Sequence, residues 1–281
     1  MSRRHGGRGT RLGADLIGVV VFLVCVFPVY WMVSRSFLPR NRIKGEDPEI
    51  VPTHGTLANY RKVFDDGSFN HALVTSLSVT LLTVAVALLF AFLAAVAVSR
   101  FRFRGRTTFI LTLLVIQMIP AEALFISQYK MLDGVGLLNS VVGLTLVYVA
   151  SVLPFTVWTL RGFVDGVPHE LEEAAMMDGC SRTGAFFRVT LPLLAPGLVA
   201  TGVFGFIQAW NEFTLAVVVM TDPAKETLPV WLVAFTDSRS RGVDWGAIMA
   251  SSTLITLPVI IFFLIVQRRM VAGLTAGAVK G

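Results

Sequence analysis

Glu172-Glu173-Ala174-Ala175-Met176-Met177-Asp178-Gly179, followed by Val189-Thr190-Leu191-Pro192, is a run of acidic and small residues set between long apolar stretches. Pro168 suits the first position of a helix, where its missing N–H leaves nothing unsatisfied. Glu170, Glu172 and Glu173 then fall in the first turns, where the helix dipole favours anions, and Gly179 supplies a stop. The pattern predicts a helix of about three turns, with Glu170, Glu173 and Met177 on one face and Leu171, Ala175 and Asp178 on another. Ala174 and Ala175 keep it slim enough to enter a cleft. Ser181 or Thr183 can cap a second short helix running through Arg188, and Pro192 and Pro196 are expected to break the chain beyond it. Two short helices at an angle make a projecting knob, which offers a soluble partner something to hold.

The rest of the chain is built for lipid. Of its 281 residues 54% are hydrophobic and 15% charged, against about 25% charged in soluble domains. Mean hydropathy is +0.71. Six segments reach the roughly 20 apolar residues that a bilayer core requires: 13–36, 70–99, 107–131, 138–161, 196–220 and 246–267. None shows the alternating pattern of a barrel strand, so the fold class is an all-α membrane protein of six transmembrane helices. The first segment follows Arg3, Arg4, Arg8 and Arg11, but is too long for a signal-peptide core and lacks a small-residue cleavage site. It reads as a retained helix.

Lys and Arg in the short flanks set the orientation. The N-terminal arginines of 1–12, the cluster Arg100, Arg102, Arg104 and Arg106, and Arg268, Arg269 and Lys280 of the tail 268–281 share one side, the cytoplasm, if the helix count is even. Segment 37–69, with Pro39, Pro48, Pro52 and Gly55, is then extracytoplasmic, and a five-helix core fills 70–267. In the outer loops Arg40, Arg42 and Lys44 are offset by Glu46, Asp47 and Glu49, and Lys225 and Arg239 by Asp222, Glu226 and Asp237. One loop breaks the rule. Parity makes 162–195 cytoplasmic, yet it holds Asp165, Glu170, Glu172, Glu173 and Asp178 against Arg182 and Arg188, so a partner rather than charge explains it.

The net charge of +6 comes without a basic, aromatic-interleaved surface, which argues against nucleic acid. Cys25 and Cys180 are too few and too far apart for a disulfide framework or thiolate metal site, and four scattered histidines add no ligand pair. No Gly-Lys-Ser/Thr phosphate loop is present, so the chain shows no P-loop nucleotide site of its own. Polar groups within spans cost about 2.5 to 3.5 kcal/mol on insertion scales and are expected to face a wet cavity or the bundle. Gln117, Glu122, Gln208, Asn211 and Glu212 are such groups, and Trp210 adds a flat face of the kind that stacks on sugar rings. Gly202 and Gly205, and Ala91, Ala94, Ala95 and Ala97, let helices approach closely. Pro28, Pro154 and Pro258 are expected to kink or loosen spans one, four and six.

The Glu-Ala-Ala, Gly and Leu-Pro spacing resembles the EAA motif of ABC importer permeases. The tail from Gln267 to Gly281 resembles the ending of MalG-type permease subunits of binding-protein-dependent carbohydrate importers, and Gln117-Met118-Ile119-Pro120 and Gln208-Ala209-Trp210-Asn211-Glu212-Phe213 are similar to that family too. The resemblance runs from about residue 12 onward and implies a type I importer subunit with the MetI-like permease fold. It implies a second, MalF-like permease subunit, a cytoplasmic ATPase dimer that carries the ATP and magnesium, and an extracytoplasmic sugar-binding protein, in a bacterial-type inner membrane with both termini cytoplasmic. Glu172, Glu173, Ala174, Ala175, Met177, Asp178, Gly179, Leu191 and Pro192 would couple to the ATPase, while Gln117, Glu122, Gln208, Trp210, Asn211 and Glu212 would line the pathway. The chain itself would be a conduit without cofactor or catalysis, and a di- or oligosaccharide the cargo. A permease for another solute fits the tail less well, and an ion-gradient transporter would be expected to show an internal repeat, which the sequence does not.

Overall fold

The computed structural model describes residues 8–43, 50–53, 55–237 and 244–278. Arg3, Arg4, the charges from Lys44 to Glu49, Arg239 and Lys280 lie outside the described residues, as do the side chains of the tail from Arg268 onward.

Among the described residues every regular element is a helix. In order they are α1 (Arg8–Ser36), α2 (Arg40–Ile43), α3 (Ala58–Asp65), α4 (Ser68–Arg100), α5 (Arg106–Gln117), α6 (Phe125–Gly134), α7 (Val141–Asp165), α8 (Glu170–Met177), α9 (Arg182–Ala185), α10 (Leu191–Asn211), α11 (Thr214–Val219), α12 (Leu228–Asp237) and α13 (Trp245–Ala278). Among the described residues five stretches are long and apolar enough to cross a membrane, and a sixth arises if the bent pair Arg106–Gln117 and Glu122–Gly134 counts as one. The expected span 107–131 is therefore not one rod. It turns by 90° around Met118–Pro120, where Pro120 lacks an N–H and holds the residue before it out of the helical region.

Two further expectations change. Pro192 and Pro196 do not break the chain. Pro192 sits in the first turn of α10 and Pro196 inside it, while a π turn over Phe186–Thr190 joins α9 to α10, with the Leu191 N–H bonded to the Phe186 carbonyl. The wider turn continues the helix into the position where proline is tolerated, so Arg182–Asn211 forms one 30-residue stretch. The second change is in α8, which has eight residues rather than three full turns, because His169 precedes it with no side-chain cap and Pro168 lies outside.

Contacts divide the chain into two compact units, one of Met1–Gly67 with Leu232–Leu257, the other of Ser68–Trp231 with Pro258–Gly281. In the first, α1 exposes every large apolar side chain from Leu16 to Val29, as suits a helix surrounded by lipid. Segment 37–69 is organised by Asn59, whose buried amide donates to the carbonyls of Ser36 and Leu38, both at 2.8 Å. Lys62 reaches Asp244 at 2.9 Å, and Asp244 accepts the Ala247 N–H at the start of α13.

In the second unit α4, α7 and α10 pack on one another. The buried side of α4 carries Ala72, Ser76, Val79, Thr83, Ala87, Ala91 and Ala95, small residues at three- and four-residue spacing that permit close approach. A Cβ on Gly202 would meet Leu88 at 3.1 Å, as the sequence led us to expect, and one on Gly197 would enter the Phe163 ring. Two apolar clusters follow. One gathers Ala91, Ala95, Val157, Leu160, Val164 and Leu194 around the C-terminal half of α7. The other gathers Val79, Leu132, Leu144, Val147, Tyr148, Ala209 and Leu215 around its N-terminal half. A site lies at each end.

Candidate coupling loop and helix-break cavity

At the C-terminal end of α7 the chain turns through Val167 and Pro168 into α8. The His169 carbonyl accepts from the Glu172 and Glu173 amides, at 3.0 and 3.1 Å, and the three glutamates occupy the positive end of the helix dipole. The helix stops at Gly179, whose φ of +91° admits glycine with least strain. The Gly179 and Cys180 N–H groups return to the Met176 and Ala175 carbonyls, both at 3.0 Å, satisfying the last turn. Of the two caps the sequence offered, Ser181 and Thr183, it is Ser181 that caps α9, accepting from the Gly184 N–H at 3.1 Å.

The loop residues divide by direction. Glu173, Ala174, Asp178 and Gly179 are exposed, Met177 is 89% exposed, Ala175 and Leu191 are half-buried, and Pro192 is exposed. Glu172 points the other way. Its carboxylate accepts from the Thr190 hydroxyl at 2.7 Å and lies 3.4 Å from an Arg100 guanidinium nitrogen. The same nitrogen donates to the Val167 carbonyl at 3.0 Å. A cavity of about 260 Å³ adjoins this cluster, lined by Val96, Phe101, Arg182, Thr183 and Phe186 together with the Arg100–Glu172 pair.

At the other end of α7 two helices stop beside one another's polar groups. α5 ends at Gln117, and α10 ends at Asn211 because Glu212 turns extended, with ψ of 124°. The Glu212 carboxylate accepts the Leu215 and Ala216 N–H groups at 2.8 and 3.1 Å and so caps α11, while its carbonyl accepts from the Tyr148 hydroxyl at 3.3 Å. Between the breaks lies a cavity of about 280 Å³ lined by Gln117, Tyr148, Ser151, Val152, Phe155, Phe204, Gln208, Ala209 and Glu212. It pairs amide and hydroxyl groups with an aromatic wall, Phe155 and Phe204 having ring centroids 4.1 Å apart.

The structure brings Gln117, Gln208 and Glu212 to this cavity and leaves the other three candidates off it. Trp210 is 3% exposed, its ring stacked parallel to Phe206 at 5.7 Å, so the face expected for a sugar is already covered. Asn211 is exposed and donates back to the Ile207 carbonyl at 2.8 Å. Glu122 is exposed in the turn after Pro120. Tyr148, Ser151, Phe155 and Phe204 were missed. Their spacing carries the signal, since Tyr148, Ser151 and Phe155 fall on one helical face and Phe204 and Gln208 on another. Among the described residues no group of three His, Cys, Asp or Glu side chains could hold a metal ion.

Residues 87–275, which include both sites, match the family described as the binding-protein-dependent transport system inner membrane component. The chain is similar to the diacetylchitobiose uptake system permease protein DasC of Streptomyces coelicolor, 46% identical over 96% of this chain and 98% of that one. It is also similar to the trehalose transport system permease protein SugB of Mycobacterium tuberculosis, 38% identical over 95% and 96%. A chain from the crystal structure of a bacterial ABC transporter involved in import of the acidic polysaccharide alginate superposes with a TM-score of 0.77 at 22% identity, covering 93% of this chain and 98% of that chain. At that identity it establishes the fold. Two bent or broken helices around a polar cavity, a small acidic helix on the same bundle and a family match across both make this chain a multi-pass inner-membrane permease component: it belongs to the family of binding-protein-dependent transport system inner membrane components.

Proposed function

We propose that this chain is one of two permease subunits of an ATP-driven importer for a di- or oligosaccharide, that an extracytoplasmic binding protein delivers the sugar, and that hydrolysis of ATP with magnesium occurs on a separate ATPase dimer. The cargo class rests on relatives named for diacetylchitobiose and trehalose uptake. Both termini and α8 lie in the cytoplasm on this reading, which counts the bent pair α5 and α6 as one span, so that the helix number is even, and follows the flanking arginines.

The carrying observation is the exposed face of α8. Glu173, Ala174 and Met177 stand exposed on a helix only eight residues long, with Asp178 exposed at its C-terminal cap and Pro192 exposed at the start of α10. An exposed methionine beside small residues and a carboxylate suits a cleft on a soluble partner. ATP-driven closure of that partner would push α8, and the push would reorient the helices around the Gln117, Gln208 and Glu212 cavity. The test is purification of the chain from native membrane in mild detergent, followed by ATP hydrolysis in reconstituted vesicles. Recovery of a second permease and an ATPase, with hydrolysis raised by sugar-loaded binding protein, is the expected result. Recovery of the chain alone would sink the reading.

A further inference from the structure

Among the described residues α8 makes one polar side-chain attachment to the bundle, through Glu172. None of its residues is fully buried, and a helix of two turns has little stability of its own. Packing is also incomplete on that side, since the 260 Å³ cavity borders both Arg100 and Glu172. Besides the packing of α8 on α9 and the π turn, the Glu172 cluster is therefore the polar link between α8 and the bundle.

That attachment joins four pieces of chain. Arg100 is the last residue of α4, where the helix dipole favours a cation. One of its guanidinium nitrogens faces both Glu172 of α8 and the Val167 carbonyl of the turn leaving α7. Thr190 closes the π turn that runs directly into α10, and its hydroxyl donates to the same carboxylate oxygen. Arg100 is 6% exposed and Glu172 15% exposed, so water competes weakly for either charge.

We propose that Arg100, Glu172 and Thr190 are positioning residues that fasten the coupling helix to α4 and α10, so that displacement of α8 reaches the two helices bordering the cavity and core; Glu172 acts inward and is not itself a contact to the ATPase. The proposal rests on the coupling role given to α8 above. It differs from a purely structural role in predicting slippage: the ATPase still binds and still hydrolyses ATP, but fewer sugars cross per ATP.

The experiment uses the whole importer, reconstituted with its partner permease, ATPase and loaded binding protein. Thr190→Val removes the hydroxyl at nearly constant volume, Glu172→Gln removes the charge, and Thr190→Ser restores the donor. Expected are recovery of the ATPase with both disrupting variants, sugar uptake per ATP lowered about fivefold in each, and return toward wild type in Thr190→Ser. The double variant is expected to be no worse than the weaker single one, since both break one cluster. Unchanged uptake per ATP in both single variants would overturn the proposal. So would loss of the ATPase from Glu172→Gln in step with uptake, which would make Glu172 a docking contact. If the wild-type chain recovers no ATPase, the coupling role of α8 fails first and the clamp falls with it.

Discussion

The two ends of the α4–α7–α10 core use polar residues in opposite ways. Toward α8 one helix, α10, runs on through Pro192 and Pro196, and the Glu172 carboxylate accepts from the Thr190 hydroxyl beside the Arg100 guanidinium. Toward the cavity two helices stop, and the amides of Gln117 and Gln208 face open space. An ion pair braced by a neighbouring hydroxyl holds a joint, whereas unpaired amides beside an aromatic wall can exchange water for hydroxyl groups. Within one bundle the first arrangement suits transmission of force and the second suits passage of a polar solute.

The largest effect is expected at the α8 end. Gly179→Val places a β-branched residue at φ +91°, which costs about 1 to 2 kcal/mol and displaces the turn that closes α8. Sugar uptake should fall by more than about tenfold while the protein still reaches the membrane. Gly197→Leu, in the adjoining cluster, drives a side chain into Phe163 and should instead reduce folded protein, by roughly 1 to 3 kcal/mol of overpacking. Normal uptake by Gly179→Val, measured in vesicles with membrane level as control, would show that α8 is no lever.

At the cavity end the comparison sharpens between neighbours. Gln208→Leu removes a cavity amide and should lower maximal uptake by about tenfold. Trp210→Phe keeps a buried ring against Phe206 and removes an indole N–H that has no partner among the described residues, so uptake should stay within about twofold of wild type. Equal losses in the two variants would mean that the cavity has no special standing. Glu212→Ala should fall between them, because losing the cap of α11 costs about 1 kcal/mol and moves one cavity wall.

The sequence made the membrane class, the spans near 13–36, 70–99, 138–161 and 246–267 and the Gly179 stop legible, because bilayer thickness and backbone chirality constrain residues locally, whereas the stretch expected at 196–220 runs from Arg182 to Asn211. It left the direction of Glu172 hidden. Three glutamates in one short helix look alike until the packing of α4 and α10 fixes which one meets Arg100 and Thr190. The fate of Trp210 was hidden for the same reason, since a tryptophan near polar residues reads as a binding face until Phe206 is seen to cover it. Glu212 borders the cavity, but its part as a cap was hidden. A carboxylate at the end of an apolar run suggests a ligand, while its two nearest partners are backbone N–H groups of its own chain. The break at Pro120 was visible as a proline but not as a right-angle turn, which needs the tertiary space on either side.

The smallest effect is expected outside both ends, in the other unit, and it tests whether losses at the two sites are local. Burial alone would raise the Asp244 pKa, but the hydrogen bond from Lys62, the Ala247 N–H and the charges of Lys62 and Arg40 outweigh it and hold the carboxyl below its ordinary range. A depressed folded-state pKa gives stability that is present above the unfolded pKa and lost as pH falls through the folded one. Lys62→Met should therefore lower thermal stability in detergent at neutral pH by about 1 kcal/mol or less, given how exposed Lys62 is. The gap from wild type should close as the solution is acidified past the ordinary carboxylate range, because Asp244 then loses the charge that Lys62 stabilises. Uptake at neutral pH should be nearly unchanged. If Lys62→Met instead lowers uptake as far as Gln208→Leu does, transport in this chain is sensitive to stability anywhere, and the contrast between a clamped end and an open end loses its meaning.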